Sequence, residues 1–363
     1  MEFTSISLQD FRNIPIAQLD LVGCRHFFLG PNGQGKSNLL EALGLVTALR
    51  SFRTRDFRAL TRKGADGFSA LFTMESETNG GSSLEVRVQG SAKRLLLDGE
   101  PMGRLGALLG CFPSVVLSSA DLQLLRGAPM DRRRWLDLVL ASSDQEYFAA
   151  LNAYSRALAG RNRLLKVRGS VAELSAFEVA MLEPALSIVQ IRTQAVAHLA
   201  KHFTLIYDVL SGGGEEADLR YRSALEGVKA SEVLKKWQMD RERDRLLGST
   251  QFGPHRDDLV LRLEGRVARE YGSDGQQRGL VLAMRLAQAR YLEDRLKMLP
   301  VLLADDVLGE LDPVRREAFW SVCRTNSQMI ATGTELPPRS EQWIVWKVEN
   351  GAFSKMPMPQ MVP

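Results

Sequence analysis

The sequence predicts an α/β protein built as two lobes: a mixed β-sheet lobe assembled from both ends of the chain, and a largely helical lobe. Three observations support this prediction. Short segments with the apolar alternation of strands fill the first third of the chain. A helical apolar periodicity runs from about 131 to 210, and a buried-strand pattern returns near 301. We therefore assign residues 1–118 and 298–363 to lobe I and residues 119–297 to lobe II.

The individual elements follow from these patterns in chain order. Residues 27–29 form an apolar run that enters a glycine-rich loop, and helix-prone residues follow the loop. Gly169 and Ser170 separate two apolar stripes, which predicts an antiparallel helical pair. Further helices are predicted around residues 231–247 and 276–297. The other predicted strands are residues 69–74, 84–88, 94–97, 114–117, 218–223, 258–263, 301–304 and 329–331.

The composition is that of a globular protein. The 363 residues are 45% hydrophobic and 25% charged, which is ordinary for a globular protein with a sizeable core. We expect no signal peptide and no membrane span, since no run approaches about 20 apolar residues. The three cysteines lie far apart, so we expect no disulfide framework, no zinc site and a cytoplasmic location. The net charge of +4 permits a polyanionic partner without requiring one.

A phosphate-binding loop is predicted near the amino terminus. Residues 30–37 read Gly-Pro-Asn-Gly-Gln-Gly-Lys-Ser and match G-x-x-x-x-G-K-[ST] between a strand and a helix. Lys36 is predicted to reach the β- and γ-phosphates of ATP or GTP and to assist catalysis, and Ser37 to ligate Mg²⁺. The alternative, a chance glycine-rich turn, does not explain the register of Lys36 and Ser37. The predicted nucleotide-binding residues of this loop are Gly30, Asn32, Gly33, Gly35, Lys36, Ser37 and Asn38.

An acidic pair follows the apolar run 301–304 and has the form of a Walker B motif. A carboxylate at the carboxyl end of a parallel strand can reach a metal ion held by a phosphate loop. We assign Asp305 to Mg²⁺ and Asp306 to orienting or activating the attacking water as the catalytic residue. A solvated acidic turn is the alternative, and the presence of a phosphate loop argues against it.

A third motif lies 32 residues before Asp305, at the start of a predicted helix. Residues 273–277 read Ser-Asp-Gly-Gln-Gln and resemble the ABC signature S-G-G-Q, with Asp274 in place of the first glycine. Ser273, Gly275 and Gln276 would form a second anion site at a helix N-terminus. A polar helix cap alone would look the same, but Glu310-Leu311-Asp312 also has the spacing of a D-loop. Gln123 is a candidate for the Q-loop glutamine.

Several segments resemble the RecF family of SMC-like ABC-type ATPases, which act in bacterial recombinational repair. The resemblance covers nearly the whole chain, and Gly-Pro-His-Arg-Asp-Asp at 253–258 is its most specific part. The other similar segments are residues 8–13, 38–42, 51–54 and 285–289. In place of the long coiled coil of SMC proteins, this chain has one short helical pair.

The resemblance implies an SMC-like head of two lobes that binds ATP with Mg²⁺, dimerises on ATP and hydrolyses it slowly. It also implies binding to duplex DNA and single-strand/duplex junctions, and work with RecR and RecO in loading RecA at gaps. Arg12 is expected near the nucleotide phosphates, with an ordinary surface ion pair as the alternative. The chain departs from common ABC patterns in Asp274, in an aspartate at 306 and in lacking a histidine near Thr332.

Four arginines between positions 50 and 58 form a candidate DNA surface, because such contacts bind phosphate without reading sequence. A solvated face that pairs with acidic residues is the alternative, and the resemblance favours DNA. The four residues are Arg50, Arg53, Arg55 and Arg58. Two other classes of protein fit the sequence less well. A transporter ATPase subunit would have a switch histidine and a much shorter interval than the 237 positions from Lys36 to Ser273, and a nuclease would have a further carboxylate or histidine cluster.

Overall fold

The computed structural model describes residues 1–49, 51–54, 56–76, 80–103, 106, 108–311, 313–337 and 340–357. The chain forms two units. Unit 1 comprises Met1–Asp121, Val209–Gly213 and Leu282–Pro363, and unit 2 comprises Leu122–Asp208 and Gly214–Val281. The second boundary lies within a helix at 281/282, whereas the sequence placed it at 297/298. Leu286 and Ala289 of this helix belong to unit 1, and they line a small cavity together with Leu302 of the same unit.

The described residues of unit 1 form two β-sheets. Its strands are β1 (Glu2–Phe11), β2 (Ile14–Asp20), β3 (Arg25–Leu29), β4 (Gly67–Ser76), β5 (Gly80–Gln89), β6 (Ala92–Leu97), β7 (Glu100–Pro101), β8 (Ser114–Ser118), β12 (Val301–Asp305), β13 (Met329–Gly333), β14 (Ile344–Glu349) and β15 (Ala352–Lys355), and those of unit 2 are β9 (Ala217–Arg222), β10 (Asp258–Leu263) and β11 (Arg266–Val267). The helices are α1 (Lys36–Ala48), α2 (Leu122–Arg126), α3 (Pro129–Ala141), α4 (Gln145–Lys166), α5 (Val171–Ser211), α6 (Ala230–Met239), α7 (Arg241–Leu247), α8 (Ala268–Tyr271), α9 (Asp274–Leu296) and α10 (Pro313–Val322).

The first sheet of unit 1 is antiparallel, in the order β2-β1-β4-β5-β6-β7. Its strands alternate between buried and exposed side chains, as expected when one face covers a core. The register of β1 against β4 shifts between Phe3 and Ser5. This irregularity lets Phe3 and Ile6 share one core despite their odd spacing.

The second sheet of unit 1 has the order β15-β14-β3-β13-β12-β8. All neighbouring strands from β14 to β8 are parallel, so their carboxyl ends lie at one edge. Residues 301–304 are buried, which confirms the predicted central strand. Helix α1 packs into one core with both sheets, because Leu39 and Leu43 belong to the same apolar cluster as Ile6 and Leu303. The phosphate loop and the end of β12 therefore lie within one rigidly packed unit.

Unit 2 contains the predicted helical pair as α4 and α5. The pair is antiparallel: Arg161 contacts Glu178 near one end, and Tyr147 contacts Arg192 near the other. Gly160 permits the close approach, since a Cβ at this position would lie 2.2 Å from the Phe177 ring. The small sheet of unit 2 is antiparallel in the order β11-β10-β9.

Helix α5 is the described helix that is long and apolar enough to cross a membrane by length and composition alone. Its buried, paired charges instead show that one face of the helix packs within unit 2. Glu178 is fully buried and binds Arg161 at 3.0 Å. Arg192 is also buried, and it binds Asp137 at 2.6 Å and the backbone carbonyl of Pro254 at 2.8 Å. Buried charges of this kind are stable only when paired.

The segment 253–258 organises the polar interior of unit 2. Both ring nitrogens of His255 are bonded, Nδ1 to the Tyr154 hydroxyl at 2.6 Å and Nε2 to the Thr250 carbonyl at 2.9 Å. The Asp258 carboxylate accepts two hydrogen bonds from the Arg132 guanidinium, from Nε at 2.8 Å and from Nη2 at 3.0 Å. These bonds tie the segment to α3 and α4, so the role of this segment in the fold is structural.

Burial of His255 in this packing favours the neutral form of its ring. Burial lowers the pKa of His255 from 6.5 to about 4. The hydrogen bond to the Thr250 carbonyl raises the pKa, but its effect is smaller than that of burial. Nearby Arg256 and Arg133 add to the lowering. Because the Thr250 carbonyl can only accept a hydrogen bond, Nε2 carries the hydrogen of the neutral ring, and Nδ1 accepts the hydrogen bond of the Tyr154 hydroxyl.

We expect the free energy of unfolding to fall as the pH drops from about 6.5 towards about 4. In this window the unfolded chain binds a proton at position 255 and the folded protein does not, so acid favours unfolding. The loss should reach on the order of 2–3 kcal/mol. Urea unfolding of the parent and of His255→Gln at a series of pH values measures it. The variant should be less stable at neutral pH but should show a shallower acid slope, and equal slopes would contradict the assignment.

Candidate nucleotide-binding site

The phosphate loop joins the end of β3 to the start of α1. Gly33 and Gly35 have φ angles of 79° and 117°, a region that favours glycine. A Cβ at Gly30 would lie 2.4 Å from the carbonyl oxygen of Val348 on β14. Gly35 begins α1 without a side-chain cap, so the first amide groups of the helix are available to an anion. The loop thus has the backbone geometry of a phosphate cradle.

Lys36 is almost fully buried, with 4% of its surface exposed. Its Nζ donates to the carbonyl oxygens of Gly30 and Pro31, at 2.7 and 2.9 Å. The ammonium group therefore lies against the loop, close to the helix N-terminus that would attract phosphate. Asn32 lies exposed at the tip of the loop.

The Walker B carboxylate meets the phosphate loop directly. Ser37 Oγ donates to Asp305 Oδ1 at 2.7 Å, and Thr332 Oγ1 donates to the same oxygen at 3.0 Å. This contact follows from the parallel register, which places Asp305 of β12 opposite Thr332 of β13. Burial raises the pKa of Asp305, while the bonds from Ser37 and Thr332 oppose that rise. A hydroxyl and a carboxylate at this separation are suitable oxygen ligands for Mg²⁺.

Asp306 has a different environment from its neighbour. Its backbone is left-handed, with φ 60° and ψ 10°, and its amide donates to Thr332 Oγ1 at 3.0 Å. Thr332 therefore connects both acidic residues, since it bonds the side chain of Asp305 and the backbone of Asp306. The two neighbouring aspartates therefore differ in backbone conformation and in the group that is hydrogen-bonded.

A buried glutamate anchors the arginines next to the loop. Glu41 on α1 is 0% exposed, and its carboxylate accepts from Arg12 at 2.8 and 2.9 Å. Arg12 Nη1 also donates to the Ala59 carbonyl at 2.7 Å. Ser51 donates a further hydrogen bond to Glu41. The ion pair that is the alternative for Arg12 is therefore present and partly buried, and a contact of Arg12 with nucleotide phosphates stays a prediction.

Arg53 lies beside the phosphate-loop helix. Its Nη1 donates to Asn38 Oδ1 at 2.8 Å and lies 3.5 Å from Glu41. Asn38 in turn donates to Asn13 at 2.7 Å, and Asn13 donates to the Gly33 carbonyl at 3.3 Å. This chain of contacts connects Arg53 to the loop itself, which the prediction of a DNA contact did not anticipate.

The other candidate DNA residues are less closely tied to the site. Arg58 is 75% exposed and pairs with Asp56 at 3.1 Å, so it lies on a solvated face. Arg50 and Arg55 lie outside the described residues. Their DNA role stays a prediction.

The signature segment forms a reciprocal cap at the start of α9. Ser273 N donates to Gln276 Oε1 at 2.8 Å, and Gln276 N donates to Ser273 Oγ at 3.3 Å. Gly275 lies in the first turn, and Gln276 Nε2 also donates to Glu215 at 2.8 Å. The polar helix cap that was the alternative interpretation is thus present. Whether the same segment also binds an anion stays a prediction. In the D-loop, Asp312 and the side chain of Glu310 lie outside the described residues.

Comparison with known proteins identifies the family, although no protein-family profile matches the chain. A DNA replication and repair protein RecF from Moorella thermoacetica is 35% identical over 361 residues, covering 97% of this chain and 96% of the relative. The chain belongs to the RecF family. A relative of the same name from an Anaeromyxobacter species is 35% identical over 376 residues, covering 98% of this chain and all of the relative. The resemblance inferred from the motifs is confirmed.

Solved structures confirm the predicted fold class of this RecF-family chain. A structure of the recombination mediator protein RecF with ATP in the RecFOR pathway matches with a TM-score of 0.90 and 26% identity, covering 98% of this chain and 97% of that one. An SMC head bound to the C-winged helix domain of ScpA matches with a TM-score of 0.60 at 14% identity, a likeness of fold alone. The chain is thus an α/β protein with the SMC-like ABC-type ATPase fold.

Sequence reasoning missed three residues that contact the predicted ones. Glu41 and Thr332 bond to predicted residues, and Arg126 bonds to Asp274 of the signature. Only Thr332 had a usable signal, since it stands where transporter ATPases carry their switch histidine. Glu41 resembled an ordinary polar position on a helix.

Proposed function

We propose that this RecF-family chain is an ATP-dependent DNA-binding protein that uses ATP with Mg²⁺, dimerises on ATP and hydrolyses ATP slowly. The observation that carries the proposal is the hydrogen bond of 2.7 Å between Ser37 and Asp305. It brings a phosphate-loop hydroxyl to a Walker B carboxylate, which is the arrangement that Mg²⁺–nucleotide chemistry requires. The ATP-bound RecF structure named above supports ATP as the nucleotide.

The residues divide the work in this proposal. Lys36 and the loop amides bind the phosphates, with Gly30, Gly33, Gly35 and Asn38 shaping the loop. Ser37 and Asp305 would hold Mg²⁺, which neutralises phosphate charge when bound. Asp306 orients or activates the attacking water. Its side chain is one methylene shorter than the glutamate of many ABC proteins, which suits slow hydrolysis.

Dimerisation follows from the chemistry of the signature. Ser273 and Gly275 present a hydroxyl and backbone amides at a helix N-terminus, which together attract an anion. In ABC-type ATPases this site meets the γ-phosphate bound by the other subunit, so ATP joins two copies. We therefore assign Ser273, Gly275 and Gln276 to the site of the partner copy.

We expect Ser273→Arg to bind ATP normally but to lose ATP-dependent dimerisation, because the longer side chain blocks the face that would receive the γ-phosphate. Hydrolysis should fall by about 100-fold, as is typical when a transition-state contact is removed. Sedimentation with and without ATP and Mg²⁺, together with ATPase assays over a range of protein concentrations, measures both effects.

Ser231→Arg is the matched control, since Ser231 is an exposed serine in the first turn of helix α6. It should dimerise and hydrolyse ATP as the parent does. Monomeric Ser273→Arg that still hydrolyses ATP at the parental rate, independent of protein concentration, would rule out the composite site.

We further propose that the dimer binds duplex DNA and single-strand/duplex junctions and helps to load RecA at gaps, with RecR and RecO as partners in the cytoplasm. The names of the relatives, DNA replication and repair proteins, support this role. The RecFOR pathway named for the ATP-bound relative supports RecR and RecO. The positive net charge and the arginines at 50–58 are compatible with phosphate binding.

Reversing Arg55 and Arg58 to glutamate should weaken binding to all DNA sequences about equally. Each lost phosphate contact should reduce the slope of log affinity against log salt by about 0.9 for duplex DNA. Arg53 is left unchanged, because it contacts Asn38 and would affect nucleotide binding as well. Titration of a labelled gapped duplex at several salt concentrations measures the slope.

Arg220→Glu is the matched control. Arg220 pairs with an aspartate two positions earlier in the chain, as Arg58 does, and is 63% exposed, but it lies in unit 2. If the double variant binds DNA with the affinity and salt slope of the parent, the segment is only a solvated surface.

A further inference from the structure

Asp274 is an acidic residue at the position where the anion site of the signature should be most positive. It is the first residue of α9, and its side chain is 83% exposed. A carboxylate there stabilises the helix N-terminus, but it repels any phosphate that approaches the same terminus. The ABC pattern places glycine here, which adds no charge. The signature therefore contains a local conflict between capping the helix and receiving an anion.

Arg126 forms an ion pair with this carboxylate. Its Nη2 donates to Asp274 Oδ1 at 2.6 Å, and its Nε donates to Gln277 Oε1 at 2.6 Å. Gln277 is buried, and its Nε2 donates to the Gly272 carbonyl at 2.9 Å. The guanidinium is thereby held in place between an exposed carboxylate and a buried, fully engaged amide.

The two bonds distinguish Arg126 from an ordinary surface arginine. A lone exposed ion pair contributes little, because water and salt screen it and both side chains must be ordered. Here one end of the guanidinium is already fixed by Gln277, so less ordering is needed to pair with Asp274. The pair offsets the charge of Asp274 beside Ser273 and Gly275 and leaves the helix dipole to attract the anion.

We propose that Arg126 is a positioning residue of the signature: it neutralises Asp274 and turns its carboxylate aside, so that the phosphate of the partner's ATP can reach Ser273 and Gly275. This inference rests on the proposed ATP-dependent dimer. It predicts that Arg126 matters only while position 274 is acidic, which a purely structural role would not predict.

A double-mutant cycle tests the proposal with the parent, Arg126→Gln, Asp274→Gly and the double variant. Two quantities are measured for each: binding of a fluorescent ATP analogue to the monomer, and the dimer dissociation constant in ATP and Mg²⁺. Arg126→Gln should weaken the dimer by about tenfold, the effect of one uncompensated charge near a phosphate. Its affinity for nucleotide in the monomer should equal that of the parent. Asp274→Gly alone should dimerise at least as tightly as the parent.

The double variant should regain most of the loss, to within about threefold of Asp274→Gly. Arg126→Lys, which keeps the charge, should lose less than Arg126→Gln. An equal loss from Arg126→Gln in the aspartate and glycine backgrounds, or no loss in either, would overturn the pairing while leaving the proposed dimer intact. A weaker dimer for Asp274→Gly alone would also overturn it, without any change at Arg126. A parent protein that stays monomeric with ATP would overturn the proposed function and this inference together.

Discussion

Lys36→Ala is expected to abolish ATP binding and all ATP-dependent behaviour. A charge-assisted hydrogen bond contributes about 1.5–3 kcal/mol, and in the proposed site the ammonium group would bond both the β- and γ-phosphates. The affinity for ATP should therefore fall by about 100-fold or more. Dimerisation and hydrolysis should disappear with it, since both depend on bound nucleotide.

The fold should survive this change. The described hydrogen bonds of Lys36 go to the carbonyl oxygens of Gly30 and Pro31, and both residues are at least partly exposed, so water can replace the ammonium group. Circular dichroism and thermal unfolding verify the fold, and titration with a fluorescent ATP analogue measures the affinity. Lys355→Ala is the control, because Lys355 is an exposed lysine in β15 of the same unit. Parental affinity and ATPase activity in folded Lys36→Ala would disprove the phosphate-loop assignment.

Asp306→Asn is expected to bind ATP, to dimerise and then to stall. Removing a general base typically lowers the rate by about 100-fold to 10,000-fold, whereas the amide keeps the shape of the carboxylate. Asparagine also tolerates the left-handed backbone at this position, so the bond from its amide to Thr332 should persist. The dimer, and any DNA that it holds, should therefore outlast that of the parent.

Asp305→Asn provides the contrast. Asp305 bonds Ser37 and Thr332 at the proposed metal position, so losing its charge should impair Mg²⁺-dependent nucleotide binding before any hydrolysis occurs. Single-turnover hydrolysis and dimer lifetime after an ATP chase separate the two variants. Parental hydrolysis by Asp306→Asn, or its failure to dimerise, would show that the two aspartates do not divide the work in this way.

Parts of the site could be predicted because their chemistry is local in sequence. The phosphate loop occupies eight consecutive residues, 30–37, and its glycines, Lys36 and Ser37 act through a backbone shape that those residues themselves specify. The strand 301–304 was predictable for a similar reason, since a continuous apolar run is typical of a strand buried on both faces. The RecF-family motifs extended this local information to nearly the whole chain.

Other features depended on residues that are distant in the chain, and only the tertiary structure decided them. Asp305 bonds Ser37 across 268 positions, and Arg126 bonds Asp274 across 148. The contacts of Arg53 could not be predicted either. An arginine that lies beside Asn38 and Glu41 has the same sequence pattern as an arginine on a solvated face. Sequence patterns record whether a side chain prefers burial or water, but not which partner satisfies its charge. In this protein, those partners are determined by the parallel sheet, by the packing of α1 and by the cap of α9.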